Sequence, residues 1–225
     1  MVALFVALMF IGFVLVDLAV QRLEARRAAA SAPAGVPWNV PHGFYLSEGH
    51  TWSYPYSSVG VRVGADALVA RALGALEKLV LLGEQAKAGQ PLVRLEYHGC
   101  ALEIPSSVTG RVIAFNRDLG KRPELVVKDP YGSGWICAIT PTQPGGGFGG
   151  MRSGEKAAAW LEQEFHRFRE FLSRQVSPDL AVSVTYPDGG LPAVGALTQL
   201  AHGGWRAFEA EFLRPPVSPP GPTKA

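Results

Sequence analysis

"LVRLEYHGCALEIPSSVTGRV", Leu92 to Val112, decides the fold of the chain. Val93, Leu95 and Tyr97 alternate with Arg94 and Glu96, the two-residue period of a half-buried strand. His98 and Gly99 interrupt the pattern, and Cys100 starts a second run that returns along the first. Together they predict a β-hairpin with His98, Gly99 and Cys100 at its bend. Upstream, "VGVRVGADAL" alternates Val59, Val61 and Val63 with small or polar residues, a further half-buried strand. "ALVARALGAL" instead spaces Leu68, Ala72, Leu73 and Leu76 at helical intervals. "LLGEQAKAGQ" then ends that helix in turns whose positive-φ positions fall to Gly83 and Gly89. Residues 43–141 therefore read as a mainly β domain with one short helix.

The whole chain has 225 residues and is 48% hydrophobic, enough for one ordinary core and a small second one. A formal net charge of +2 with 18% charged residues builds no basic field, which excludes a dedicated nucleic-acid binder. Cys100 and Cys137 are the two cysteines, too few for a disulfide framework or a four-cysteine zinc site.

The first twenty residues, "MVALFVALMFIGFVLVDLAV", hold a single ionisable side chain, Asp17. At 1.5 Å per residue such a run crosses a hydrocarbon core of about 30 Å. No Lys or Arg precedes it, and Arg22, Arg26 and Arg27 follow directly. These features predict an uncleaved anchor over residues 1–21 and a single-pass membrane protein with its body in the cytoplasm. The competing reading is a secretory signal cut near "AAASAPA". Residues 22–42, rich in Ala and Pro, read as a linker.

After Pro141 the composition shifts to "TQPGGGFGGMRSG", predicting a Gly-rich hinge over 142–153. "EKAAAWLEQEFHRFREFLSRQ" follows, with Trp160, Leu161, Phe165, Phe168 and Leu172 on one helical stripe, Ser153 as a candidate N-cap and His166 toward water. A strand over Leu180–Tyr186 and a last helical segment with Leu197, Leu200, Trp205, Phe208 and Phe212 complete a small α/β extension, residues 154–214. That unit holds too little core to stand alone and should pack on the β domain, on another subunit, or on both. Residues 215–225, "PPVSPPGPTKA", read as a disordered tail.

The ordered blocks "SEGHTW" (47–52), "VRVGADALVARALGAL" (61–76), "GEQAKAGQPLVRLE" (83–96), "SSVTGRVIAFN" (107–116), "PEL" (123–125) and "DPYGSGW" (129–135) resemble the H protein of the glycine cleavage system. The resemblance covers about Phe44 to Pro141. It implies a lipoyl-domain-like barrel-sandwich hybrid, two small antiparallel sheets face to face with a short helix on one side, in which Gly110 and Val112 begin the strand after the hairpin. It also implies a lysine at the hairpin tip, whose amide-linked lipoyl group carries an aminomethyl unit between enzymes. Counting back from "SSVTGRV", that position falls on Gly99, between His98 and Cys100. No lysine lies between Lys87 and Lys121, and neither of these reaches the tip without a register slip that would turn the strand faces over.

No cofactor is expected on this reading, and no catalytic residue or metal ligand is assigned. Cys100 beside His98 is the low-ranking tip candidate, either for a substitute attachment or, with Cys137 or His50, for a metal. Against this, Cys100 reads as a small hydrophobe and His98 as a solvated turn residue. His50 and Trp52 in "GHTW" read as a locally hydrogen-bonded histidine and a buried aromatic, and Asp129 to Gly132 as a turn. "GGGFGG" lacks the strand before it and the Lys-Ser/Thr after it that a phosphate loop needs. The expected function is a membrane-tethered, non-lipoylated accessory or scaffold subunit whose partners are the membrane and other proteins. The alternative is a true carrier with an unusual attachment near the tip.

Overall fold

The computed structural model describes residues 39–175 and 191–214. The expected anchor, most of the linker, the strand expected over Leu180–Tyr186 and the tail lie outside the described residues. Among the described residues, no helix is long and apolar enough to cross a membrane.

The chain enters through Tyr45–Leu46 (β1), Thr51–Pro55 (β2) and Val61–Ala65 (β3), a three-strand meander. Trp52 pairs with Gly64 across it, and a side chain at Gly64 would collide with the indole, so glycine is needed for close approach. Asp66 then caps helix α1 (Ala67–Leu73), its Oδ1 accepting the Leu68 and Val69 N–H groups at 3.0 and 3.2 Å. The helix buries Leu68, Val69, Ala72 and Leu73.

Lys78–Leu81 (β4) and Gln85–Ala86 (β5) precede the expected hairpin of Pro91–Tyr97 (β6) and Cys100–Pro105 (β7). Gly110–Phe115 (β8) follows, then a short helix Leu125–Lys128 (α2) and Cys137–Pro141 (β9). A last short strand, Arg152–Ser153 (β10), leads into helix α3 (Gly154–Gln175), and His202–Phe208 (α4) continues into a wide turn at Glu209–Leu213. The strands form a seven-stranded sheet, β10-β1-β2-β3-β9-β8-β5, and a three-stranded one, β4-β6-β7. Every strand pair in them is antiparallel. The expected mainly β class and the Leu92–Val112 hairpin are both present.

Three local expectations are corrected. Val59 lies in the β2–β3 loop, 66% exposed, because the chain reverses there before the buried alternation of Val61 and Val63 starts. Val93 and Leu95 are buried as their alternation requires, and Leu92 is buried beside them where the register slips between Pro91 and Val93. Gly89 has the positive φ its turn needs, whereas Gly83 does not. The stretch expected as a hinge, 142–153, contributes β10, which pairs with β1 through Tyr45↔Ser153 and Leu46↔Arg152. Boundaries at 141 and 154 therefore cut across one sheet.

The C-terminal helices close the same core. Leu161, Phe165, Phe168, Phe171 and Leu172 of α3 join Phe208 and Phe212 in one buried cluster with Trp52, Leu68 and Ile104. The rings of Phe168, Phe171, Phe208 and Phe212 lie 4.9–6.2 Å apart, mostly edge to face. Each such ring removed from water contributes roughly 1.5–3 kcal/mol. The aromatic stripes are thus spent within the chain, and His166 faces solvent as expected.

Candidate functional site

At the tip of the β6–β7 hairpin, Tyr97 pairs with Cys100 and leaves a two-residue loop. His98 and Gly99 both have positive φ, 47° and 74°, the pattern of a type I′ turn. That geometry matches the strand twist and favours glycine at its second position. Nothing lies within 4 Å of where a Gly99 side chain would begin, so the position points into open space. The turn is held from the residue before β4: Glu77 accepts the His98 N–H at 3.1 Å, and its carboxylate lies 3.6 Å from Nε2. His98 also packs edge-on against Tyr97, with ring centres 4.3 Å apart.

The tip therefore presents an imidazole, a glycine and the half-buried Cys100, and no amine. A lipoyl group needs an amine for its amide, and these residues do not fit it. Strand pairing reveals one lysine that reading along the chain misses: Lys78 on β4 sits opposite Glu96 and forms an ion pair with it at 3.4 Å. It belongs to the flat of an outer strand and not to the turn.

The other edge of this sheet, β7, is covered by the chain's own C-terminal segment. The Glu103 N–H donates to Glu209 at 3.2 Å, and Arg214 bridges Glu103 (3.0 Å) and Glu209 (2.6 Å). Arg94 on β6 completes the ladder by donating to Glu103 at 2.8 Å. The β7 edge beside the hairpin is therefore occupied by the chain itself.

The strongest electrostatic feature lies elsewhere. His50, fully buried and with φ of 55°, places Nδ1 2.8 Å from Asp66 Oδ2 and Nε2 3.3 Å from Glu164 Oε2. Both oxygens of Glu164 in turn accept from a single nitrogen, Arg167 Nη1, at 2.7 and 2.8 Å. Burial alone would depress the imidazole's proton affinity. The charge of Asp66, its hydrogen bond and Glu164 outweigh it and raise His50 to about 9. Burial likewise works against ionising Glu164, but the bonds from His50 and Arg167 hold its carboxyl below the usual range. A protonated His50 between two carboxylates thus ties the start of β2 and the α1 cap to α3, with Trp160 stacked over its ring at 4.9 Å.

His50 is therefore not locally bonded as its sequence context suggests, because its partners lie 16 and 114 positions away. Two signals pointed there: Asp66 directly before "ALVARAL" is a cap residue, and Glu164 is a carboxylate on the otherwise apolar stripe of α3. Cys137 is buried in β9, where desolvation pushes its thiol up to about 12, so it is no partner for Cys100. Among the described residues no three His, Cys, Asp or Glu side chains could hold a metal. Trp52 is buried and donates its indole N–H to the Pro130 carbonyl at 3.0 Å. Asp129 accepts the Ser133 N–H at 2.6 Å in the expected turn. A cleft of about 490 Å³ is lined by Ser47, Ser106, Ser107 and Thr109, but each of these hydroxyls already makes a structural hydrogen bond. No activated nucleophile results.

A sequence family described as Glycine cleavage H-protein matches residues 44–164, across the expected hinge and into α3. The probable glycine cleavage system H protein of Pyrococcus abyssi is 30% identical over 127 residues, 56% of this chain and 94% of that protein. The glycine cleavage system H-like protein of Chlamydia pneumoniae is 34% identical over 97 residues, 42% of this chain and 84% of that one. A crystal structure of a glycine cleavage system H protein from Mycobacterium marinum aligns at 24% identity with a TM-score of 0.47, covering 55% of this chain and 99% of that one.

Proposed function

We propose, from the premise that the chain belongs to the glycine cleavage H-protein family, that it is a membrane-tethered, non-lipoylated accessory or scaffold subunit. It works through protein–protein contacts, with its body on the cytoplasmic side. The observation that carries this reading is the His98–Gly99 turn, where a lipoyl carrier needs an amine and this chain has none. The cover over β7 supports it, since the chain uses that face for its own packing. The apolar run at residues 1–20 supports the tether. For partners, Leu82 just after β4 and Ile113 on β8 are left exposed at 40% and 50%.

Co-purification tests the proposal. The full chain, solubilised from its own host in mild detergent, is expected to bring a stoichiometric partner. A Leu82→Asp, Ile113→Asp variant, with both changes on exposed sites, should lose it while remaining in the membrane fraction. Recovery of the wild-type chain alone would remove the scaffold role.

A further inference from the structure

We propose that the β2–β3 loop, Tyr56 to Gly60, is a second membrane contact that rests on an anionic phospholipid surface; this builds on the tethering just proposed. The loop carries two of the exposed large apolar side chains among the described residues, Tyr56 at 41% and Val59 at 66%. A shallow cleft of about 380 Å³ beside it is lined by Pro55, Val59, Val61, Pro141 and Phe148. Tyr and aliphatic tips of this kind settle at the boundary between headgroups and acyl chains.

The described chain begins beside this patch. Residues 21–38 separate the apolar N-terminal run from the body, and a chain of that length spans up to roughly 60 Å. It arrives at this end of the body. β1 runs antiparallel to β2, with Tyr45 opposite Ser53, so the preceding residues draw level with Pro55 and the loop. Phe44 stacks on Tyr54 at 4.9 Å, and Gly43 lies against the same ring.

The charge distribution fits an anionic surface. No Asp or Glu occurs within residues 39–47, 54–62 or 139–151, the three segments that meet at this end, although the chain holds 19 elsewhere and around them. Glu48, next in sequence, is 3.4 Å from Arg152. The cation at the loop is Arg62, whose guanidinium lies 5.1 Å over Tyr56 and 4.8 Å over Trp135. Stacked there, it is placed to meet a phosphate as Tyr56 and Val59 enter the interface.

The test uses the full chain reconstituted into vesicles, with Cys100→Ser removing the half-buried thiol. A Val59→Cys variant carries an environment-sensitive fluorophore, and a Glu77→Cys variant carries it beside the hairpin tip. In vesicles of brominated phosphatidylcholine and phosphatidylserine, the label at 59 is expected to lose at least half its emission and the label at 77 less than a tenth. With phosphatidylcholine alone, quenching at 59 should fall at least twofold. If the protein floats with the vesicles but 59 is quenched no more than 77, the loop contact is wrong and the tether stands. Equal quenching without phosphatidylserine would overturn the anionic assignment. If the protein does not float at all, both the tether and the loop contact fail.

Discussion

Replacing His50 with alanine is expected to lower the stability of the folded body by about 3–5 kcal/mol, the range for removing one partner of a buried ion pair. The loss comes from what stays behind: the buried Asp66 and Glu164 carboxyls lose the imidazole that donates to both of them. Asp66 retains its two cap hydrogen bonds and Glu164 its Arg167, so the cost should fall short of a complete loss of folding. A His50→Leu, Glu164→Leu double variant should lose less than the sum of the two single changes, because the second substitution removes the stranded carboxylate.

The same site sets a pH dependence whose sign follows from its direction of shift. A histidine raised from 6.5 to about 9 holds its proton more tightly folded than unfolded. Its contribution is complete below about pH 6.5 and is lost as pH rises through 9, amounting to about 3 kcal/mol at 1.36 kcal/mol per unit. Glu164, lowered from 4.5, contributes above its ordinary range and is lost as acid protonates it in the fold. Urea midpoints measured from pH 6 to 10 should therefore decline in the wild type and stay nearly flat in His50→Ala. A parallel decline in both would place the alkaline transition on other groups.

Phe168→Ala is expected to cost about 3–5 kcal/mol, as for other large-to-small changes at a fully buried ring. Phe168 is in edge contact with Phe208 and Phe212 and parallel to Phe171, so its removal opens a void between α3 and α4. The informative part is where the loss is felt. Trp52 lies in the β domain and shares one core with Phe168, so its resolved 19F resonance in 5-fluorotryptophan-labelled protein should follow the same single, shifted transition as the helical signal. Two transitions, with Trp52 unaffected, would make the C-terminal helices a separate unit.

How much of this could be read along the chain depends on whether the signal was local. The hairpin, the α1 helix and the buried Trp52 were legible because alternation, 3.6-residue spacing and a two-residue turn are properties of contiguous segments. The absent amine was equally legible, since it needed only the residue at Gly99 and a register anchored by the "SSVTG" block. The apparent hinge was misleading because glycine content marks conformational freedom, and the β10–β1 pairing that uses it depends on a strand about 100 positions earlier. His50 with Glu164, and Lys78 with Glu96, are the same kind of case: each pair is set by the closing of the fold. The aromatic stripes of α3 and α4 were correctly placed on helix faces, but periodicity does not say whether such a face meets its own chain or another.

The central claim is that this H-protein-family chain carries no lipoyl group, and intact-mass analysis of protein purified from its own host tests it most directly. The account predicts that the body, including the Leu92–Glu103 hairpin peptide and the peptide holding Lys78, has its unmodified mass. A lipoyl adduct on Lys78, or any acyl or thioester adduct at Cys100, would contradict it and return the chain to the carriers.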